Sequence, residues 1–420
     1  MPTRLICSEP SCGEETARDA AATSCAACGG LLEFSYDPAL LRPGELVADF
    51  RARRASGSAL DRSGVWRFRE LLPDFDGQAV VTLGEGGTPM PEAVRTAEWA
   101  GVAKLAIKHQ GANPTGSFKD LGMTVCISEA VRLGRSVVAC ASTGNTSSSM
   151  AAYSARAGLQ AVVFVPRGSV SRAKLAQAED FGALVMEVGG NFDEAFALLR
   201  RAAPELDLYL VNSINPLRLE GQKTLLFEIM EQRGWRAPDV IAMPGGNLGN
   251  CSAVGKGLRE LFALGLLDRM PALAVIQAEG ASPFHRMWRN GDTDLLPLAD
   301  PETRATAIRI GSPANWRRAR RVLEMTDGMT AAVSEEEILR AKRQLASEGI
   351  GCEPASAAAI AGVRQLRASG QISSGADVVA VLTGHQLKDT DYILESVVPG
   401  DEPQPSVRAD VRERLARWLE

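Results

Sequence analysis

The chain has 420 residues, of which 45% are hydrophobic, 23% charged and 5% aromatic, and a formal net charge of −5. At roughly 150 residues per domain, that predicts two or three domains with an ample core. The mildly acidic balance gives no electrostatic footing for nucleic acid or an anionic membrane. No apolar run reaches bilayer length, and the first seven residues lack the basic-then-apolar order of a signal peptide, so a cytoplasmic enzyme is the expectation.

Cysteines come first along the chain. Cys7, Cys12, Cys25 and Cys28 read C-x4-C-x12-C-x2-C, close to the ribbon pattern in which four thiolates meet one tetrahedral metal, so residues 1–36 are expected to form a ribbon-like segment holding a structural zinc. The first knuckle is longer than the usual two-residue spacing, and the competing reading is a flap of reduced thiols. Residues 37–76 are punctuated by Arg and Pro without a clear period and read as a wrapping linker. Beyond them, short β-branched-rich runs at 104–109, 136–142, 159–165, 183–188, 208–212, 239–243, 272–277 and 377–382 predict strands. Segments of helical period at 121–133, 147–156 and 252–264 lie between them. Strands buried on both faces and alternating with helices predict an α/β fold of two wound parallel-sheet lobes within 77–400. The smaller lobe is expected at about 103–222, and the larger at about 77–102 plus 223–400. Residues 401–420 read as a helical tail with Val407, Val411, Leu415 and Leu419 on one stripe.

Wound sheets bind ligands beyond the carboxyl ends of their strands. Five strand ends here turn polar: 111–120, 143–146, 213–218, 244–250 and 383–385. The loop 245–250 runs from a buried strand into a helix, where glycines and helix-terminal N–H groups suit a phosphate. It has neither a Walker lysine nor the G-x-G-x-x-G spacing, so a small phosphorylated cofactor fits better than ATP or NAD. Only eight of the 46 basic residues are lysines. One of them, Lys119, lies at a helix start, where the helix dipole and partial burial lower an amine's pKa as a Schiff-base lysine requires. A phosphate cup together with a reactive lysine points to pyridoxal 5′-phosphate.

The motif order across 82–390 resembles the threonine synthases among the fold-type-II (tryptophan-synthase-β-like) pyridoxal-phosphate enzymes. The matching stretches are TLGEGGTP at 82–89, NPTGSFKD at 113–120, STGNT at 142–146, GNFD at 190–193, NSINP at 212–216, RLEGQKT at 218–224, AIRIGSP at 307–313, EPAS at 353–356 and LTGHQLKD at 382–389. SFKD and STGN indicate only the broad class, whereas SINP-x-R-x-EGQKT with LTGH-x-LKD is far more specific. Many members also carry a four-cysteine ribbon closing in CxxCGGLL, as at 25–32. The resemblance implies that Lys119 is the Schiff-base lysine and proton shuttle and that Asn145 bonds the cofactor's phenolic oxygen. It further implies that Gly246, Asn247, Leu248, Gly249 and Asn250 hold the cofactor phosphate and that Thr383 faces the pyridine nitrogen. Ser142, Thr143 and Thr146 would hold the substrate carboxylate, Lys174 matches the family's KLAQ motif near the substrate, and Asn212, Ser213 and Arg218 would take a substrate phosphate. The implied reaction converts O-phospho-L-homoserine and water to L-threonine and phosphate, in a homodimer.

The chain departs from the family pattern at Ser169, Gly245, Ser312 and Gln386, where lysine, valine, asparagine and glycine are usual. These positions leave the cofactor set intact but bear on the substrate. The competing readings are a paralogue catalysing β-replacement or elimination (cysteate-synthase-like or threonine-dehydratase-like) and a binding protein on a dead enzyme scaffold. His109 and His385 adjoin the cleft motifs. His285 is expected at the surface, and Cys126, Cys140, Cys251 and Cys352 in or near the core.

Overall fold

The structure, a computed structural model, describes residues 3–142, 144–167, 172–190, 192–397 and 416, without the side chains of 172–174, 192–193 and 396–397. Two compact units result, Met1–Lys388 and Asp389–Glu420. Of the second, helix Thr390–Val397 is described, and the stripe expected at 407–419 lies outside the described residues.

Three sheets build the first unit. The ribbon sheet joins β1 (Arg4–Cys7), β2 (Glu15–Thr16) and β3 (Leu32–Ser35) in the antiparallel order β2-β1-β3. The larger parallel sheet contains β4 (Lys104–His109), β9 (Val240–Pro244), β10 (Ala272–Ala278), β11 (Met329–Val333) and β12 (Asp377–Leu382), in the order β11-β10-β9-β12-β4. The smaller parallel sheet has β5 (Val137–Ala141), β6 (Gln160–Pro166), β7 (Leu184–Val188) and β8 (Tyr209–Leu210), in the order β7-β6-β5-β8. This is the expected α/β architecture.

Alternation explains why the larger sheet reads as continuous apolar runs. Ile241, Met243, Leu273, Val275, Val379 and Val381 face one buried cluster, while Val240, Ala242, Ala274, Ile276, Val378, Ala380 and Leu382 face another. Each large aliphatic chain so buried contributes roughly 1.5–3 kcal/mol of transfer free energy.

Three sequence expectations change. β4 pairs with β12 along its whole length, so 104–109 belongs to the larger sheet and not to the smaller lobe. β11 has no counterpart among the expected strands, because its core MTAAV is alanine-rich and carries little β-branched signal. The 37–76 segment is largely helical, with helix Pro43–Arg54 and helical turns at Trp66–Leu71. It delivers Phe50, Trp66 and Phe68 to the core, and the Trp66 indole N–H donates to Thr124 Oγ1 at 2.8 Å. Helix Pro43–Arg54 buries only Leu46 and Phe50 among many arginines, so its period is faint.

Candidate functional site

Two of the polar strand ends lead into helices that cross closely. At Gly221 a Cβ would lie 1.8 Å from the Leu121 carbonyl oxygen, and at Gly122 one would lie 2.8 Å from Arg218 Nε. Helix Lys119–Arg132 therefore packs backbone-close on helix Pro216–Gln232.

Lys119 is the first residue of its helix. The loop before it is clamped by Asp120, whose carboxylate accepts from Thr115 N at 2.7 Å, Thr115 Oγ1 at 2.6 Å and Ser149 Oγ at 2.5 Å. Burial pushes the Asp120 carboxyl up to about 6. The same loop is stitched to the end of β12: Phe118 N donates to Thr383 O at 3.0 Å and His385 N to Gly116 O at 2.8 Å. These bonds hold the residues just before Lys119 against the end of β12. Burial first, and then the Arg218 guanidinium, pull the Lys119 amine down to about 7, against the opposing pull of Glu353. Among the described residues Lys119 forms no ion pair, and its Nζ lies 4.0 Å from the centre of the Phe118 ring.

Asn145 likewise opens a helix, Asn145–Ala157. Its Nδ2 donates to Glu353 Oε2 at 2.9 Å, and Thr383 Oγ1 donates to Glu353 Oε1 at 3.1 Å. Glu353 thus joins two side chains expected at a cofactor ring, and burial pushes its carboxyl upward against these bonds and the nearby lysines. In the sequence, EPAS is a motif that assigns no role to Glu353. Its one local signal was a carboxylate directly before Pro354 at a helix start.

The third helix to begin at the site, Gly249–Ala263, starts earlier than the expected 252. Leu248 precedes it at φ 62° and ψ 7°, and no side chain caps the helix. First-turn backbone N–H groups are therefore left for a ligand. Asn247 Oδ1 accepts from Ala314 N at 2.8 Å, while Asn250 keeps both amide atoms buried and without a partner. An uncapped helix start beside a buried unsatisfied amide fits an incoming phosphate. Gly245 also has a local reason. A Cβ there would meet Val275 Cγ1 at 2.7 Å and Gln277 Cγ at 3.2 Å, so these side chains occupy the space a valine would need.

The expected substrate residues divide. Ser142, Thr146 and Ser213 are half-buried at the cleft. Thr143 and Ser169 lie outside the described residues, as does the side chain of Lys174. Asn212 departs from its expected role: its amide exchanges bonds of 3.1 and 2.9 Å with the Ala141 backbone and so staples the turn after β8 to β5. Arg218 departs too. It is 1% exposed, and its Nη1 donates to Val211 O at 2.9 Å. Instead of presenting an open fork to substrate, it is a buried cation near Lys119, because the Gly122–Gly221 crossing closes over it.

Lys388 was not singled out by sequence. Its Nζ donates to Ser148 Oγ at 2.9 Å and to Gln177 Oε1, and its stem packs on Gly116. His109 Nε2 lies 3.0 Å from Gly351 O, and the Leu387 N–H donates to His385 Nδ1 at 3.2 Å. His285 is half-buried in helix Pro283–Asn290, with Nδ1 2.9 Å from Thr330 Oγ1, and not in a surface loop. Cys126, Cys140, Cys251 and Cys352 are buried, and burial pushes each thiol up to about 12.

In the ribbon, the sulfurs of Cys7, Cys12, Cys25 and Cys28 all lie within 4.8 Å of one another. The Cys7–Cys28 and Cys12–Cys25 separations are 3.4 and 3.7 Å. Four thiolates about 2.3 Å from a tetrahedral zinc stand about 3.8 Å apart, so the set fits that ion. The stretched first knuckle is absorbed by a turn in which Cys12 N bonds Glu9 O at 3.0 Å and Gly13 sits at φ 66°.

Residues 81–384 match the family model for pyridoxal-phosphate dependent enzymes. The threonine synthase of Methanocaldococcus jannaschii is 46% identical over 370 residues, 88% of this chain and 89% of that one. That of Methanosarcina acetivorans is 45% identical over 385 residues, 91% and 92% of the two chains. The threonine synthase of Mycobacterium tuberculosis is 45% identical over 350 residues, 83% and 94%. Among solved structures, threonine synthase from Escherichia coli superposes with a TM-score of 0.69 at 21% identity, covering 99% of this chain and 100% of that one, which is a likeness of fold. With that extent of identity across the catalytic motifs, the chain belongs to the pyridoxal-phosphate dependent enzymes, in the threonine synthase family.

Proposed function

We propose that the chain converts O-phospho-L-homoserine and water to L-threonine and phosphate, with pyridoxal 5′-phosphate as cofactor. The observation that carries this reading is Lys119: an amine without an ion pair among the described residues, lowered to about 7, next to a loop bonded to Thr383 and within the field of Glu353. Lys119 would hold the cofactor through its amine, the N–H groups of 246–250 its phosphate, and Asn145 and Thr383 its ring. When bound, that cofactor supplies an electron sink for negative charge at substrate carbon.

The chain's own groups do the rest. An amine near 7 is largely neutral at slightly alkaline pH, so Lys119 can take a proton from Cα, then serve Cβ and Cγ in turn. Phosphate leaves from Cγ, and water adds at Cβ. Ser142, Thr143 and Thr146 would bind the substrate carboxylate at the start of helix Asn145–Ala157, where the dipole favours an anion. Ser213 would face the substrate phosphate, with Arg218 beneath as a buried positive charge and Lys174 near the same group. Glu353, held between Asn145 and Thr383, keeps these two side chains in register.

The four sulfurs support a structural zinc, closed to substrate because all four positions are protein thiolates. We further propose a homodimer in the cytoplasm. Among the described residues no helix is long and apolar enough to cross a membrane.

Phosphate release from O-phosphohomoserine, compared with O-phosphoserine, tests the reaction. Release from the first with threonine formed is the expected result. Release from O-phosphoserine alone would instead make the chain a β-replacement or elimination enzyme. Metal analysis should find one zinc per chain, and size-exclusion chromatography a mass of twice the chain.

A further inference from the structure

A buried relay runs from the ribbon to the loop 246–250. Leu32, the register partner of Cys7, presents its carbonyl oxygen to Arg318 Nη2 at 2.6 Å. Arg318 is 5% exposed, and its Nη1 donates to Asn315 Oδ1 at 3.2 Å. Asn315, fully buried just before helix Trp316–Met325, donates through Nδ2 to Ser213 O at 3.3 Å. The same nitrogen lies 3.5 Å from where a Cβ would stand on Gly249. Asn315 N donates to Asn247 O at 3.3 Å, and the neighbouring Ala314 N to Asn247 Oδ1 at 2.8 Å.

An asparagine amide has an accepting and a donating side of nearly equal shape, and its surroundings decide which way it faces. A guanidinium can only donate, so Arg318 fixes Oδ1 toward itself and turns the NH2 toward Ser213 and Gly249. Reversed, the amide would aim oxygen lone pairs at a loop suited to phosphate. Neither Asn315 nor Arg318 has a part in the function proposed above, and the ribbon lies outside the reacting groups.

We propose that Asn315, oriented by Arg318, is the positioning residue that joins the loop 246–250 to the Ser213 turn, and that through Arg318 the ribbon sets how tightly the chain holds a phosphorylated cofactor. This rests on the reading of 246–250 as the cofactor-phosphate site.

The test is a titration of apoenzyme with pyridoxal phosphate and, separately, with pyridoxal, which has no phosphate. Asn315→Asp keeps the shape and the Arg318 contact but replaces the NH2 with oxygen. It should raise the Kd for pyridoxal phosphate about 30-fold and that for pyridoxal less than about twofold, as expected for a bond that serves only the charged group. Asn315→Ser, a smaller replacement, should give about tenfold for pyridoxal phosphate alone. Arg318→Met should also cost about tenfold, and Cys28→Ser, which opens the ribbon, a similar factor in the wild-type background but little further in Arg318→Met. An unchanged Kd in both Asn315 variants overturns the proposal. So does equal weakening of both ligands, or full additivity of Cys28→Ser and Arg318→Met. Failure of wild-type apoenzyme to bind either ligand would overturn the reading of the loop itself, and is distinguishable because it needs no variant.

Discussion

Between helices Pro216–Gln232 and Gly249–Ala263, Lys223 lies 2.6 Å from Glu220 and 2.8 Å from Glu260, and Lys256 lies 2.5 Å from Glu220. Burial opposes the charge on Lys256, yet Glu220, Glu260 and Glu33 outweigh it and hold the amine above its usual range. Among the described residues Lys119 has no such partner. Burial and the Arg218 cation act on it in the same direction and bring its amine to about 7. Lys256 and Lys119 thus diverge through what faces them: carboxylates in ion-pair contact hold the Lys256 amine above its usual range, whereas at Lys119 burial, reinforced by a neighbouring cation, lowers it. Lys388 stands between these cases. It is bonded to the neutral partners Ser148 and Gln177 and pulled down by burial against Glu353 and Asp120.

Removing the amine at the reactive pole is the most drastic change. Lys119→Ala should lower phosphate release from O-phosphohomoserine by about 10³-fold or more and abolish the yellow colour of bound cofactor. Colour unchanged in that variant would point to the dead-scaffold reading. At the structural pole, Glu220→Gln leaves Lys223 and Lys256 with half their pairing and should cost about 3–5 kcal/mol in a denaturant titration. A loss below about 1 kcal/mol would mean that this cluster is hydrated and not a buried network.

The pH dependence separates the poles directly. The neutral amine is the nucleophile, so capture of cofactor by apoenzyme should accelerate as pH rises through about 7 and level off above it. A rate still climbing toward pH 10 would place Lys119 with ordinary lysines. Lys388→Met should have the smallest effect, about a tenfold fall in kcat/KM with less than about 1 kcal/mol of stability lost, because its hydrogen bonds to Ser148 and Gln177 join cleft elements through neutral partners.

Much of the site was legible in the chain itself. The strand-end rule picked out the loops carrying Lys119, Asn145, Gly246 and Thr383, and the parallel α/β class followed from apolar runs alternating with helical segments. Helix starts were the blurred part. Period counting began the three site helices near 121, 147 and 252, whereas they begin at Lys119, Asn145 and Gly249. First-turn residues that face a ligand are polar or glycine, so they add nothing to a hydrophobic period. Glu353, Lys388 and Asn315 were missed for another reason: their partners Asn145, Ser148 and Ser213 lie 208, 240 and 102 residues away, and no local pattern encodes such a pairing.

Arg218 marks the same limit from the other side. Its place after SINP pointed to a phosphate fork, but only the packing of Gly221 on Leu121 and of Gly122 on Arg218 shows it to be a buried neighbour of Lys119. Apolar runs, motif order and the polar strand ends were enough to name the fold class and the cofactor, and they single out Lys119 as the amine to test. Which amines are paired, which carboxylate joins Asn145 to Thr383, and how the ribbon reaches Asn315 were decided only by tertiary structure. The physical reason is that ionisation and hydrogen bonding depend on distance and burial, quantities fixed when helices far apart in the chain close on one another.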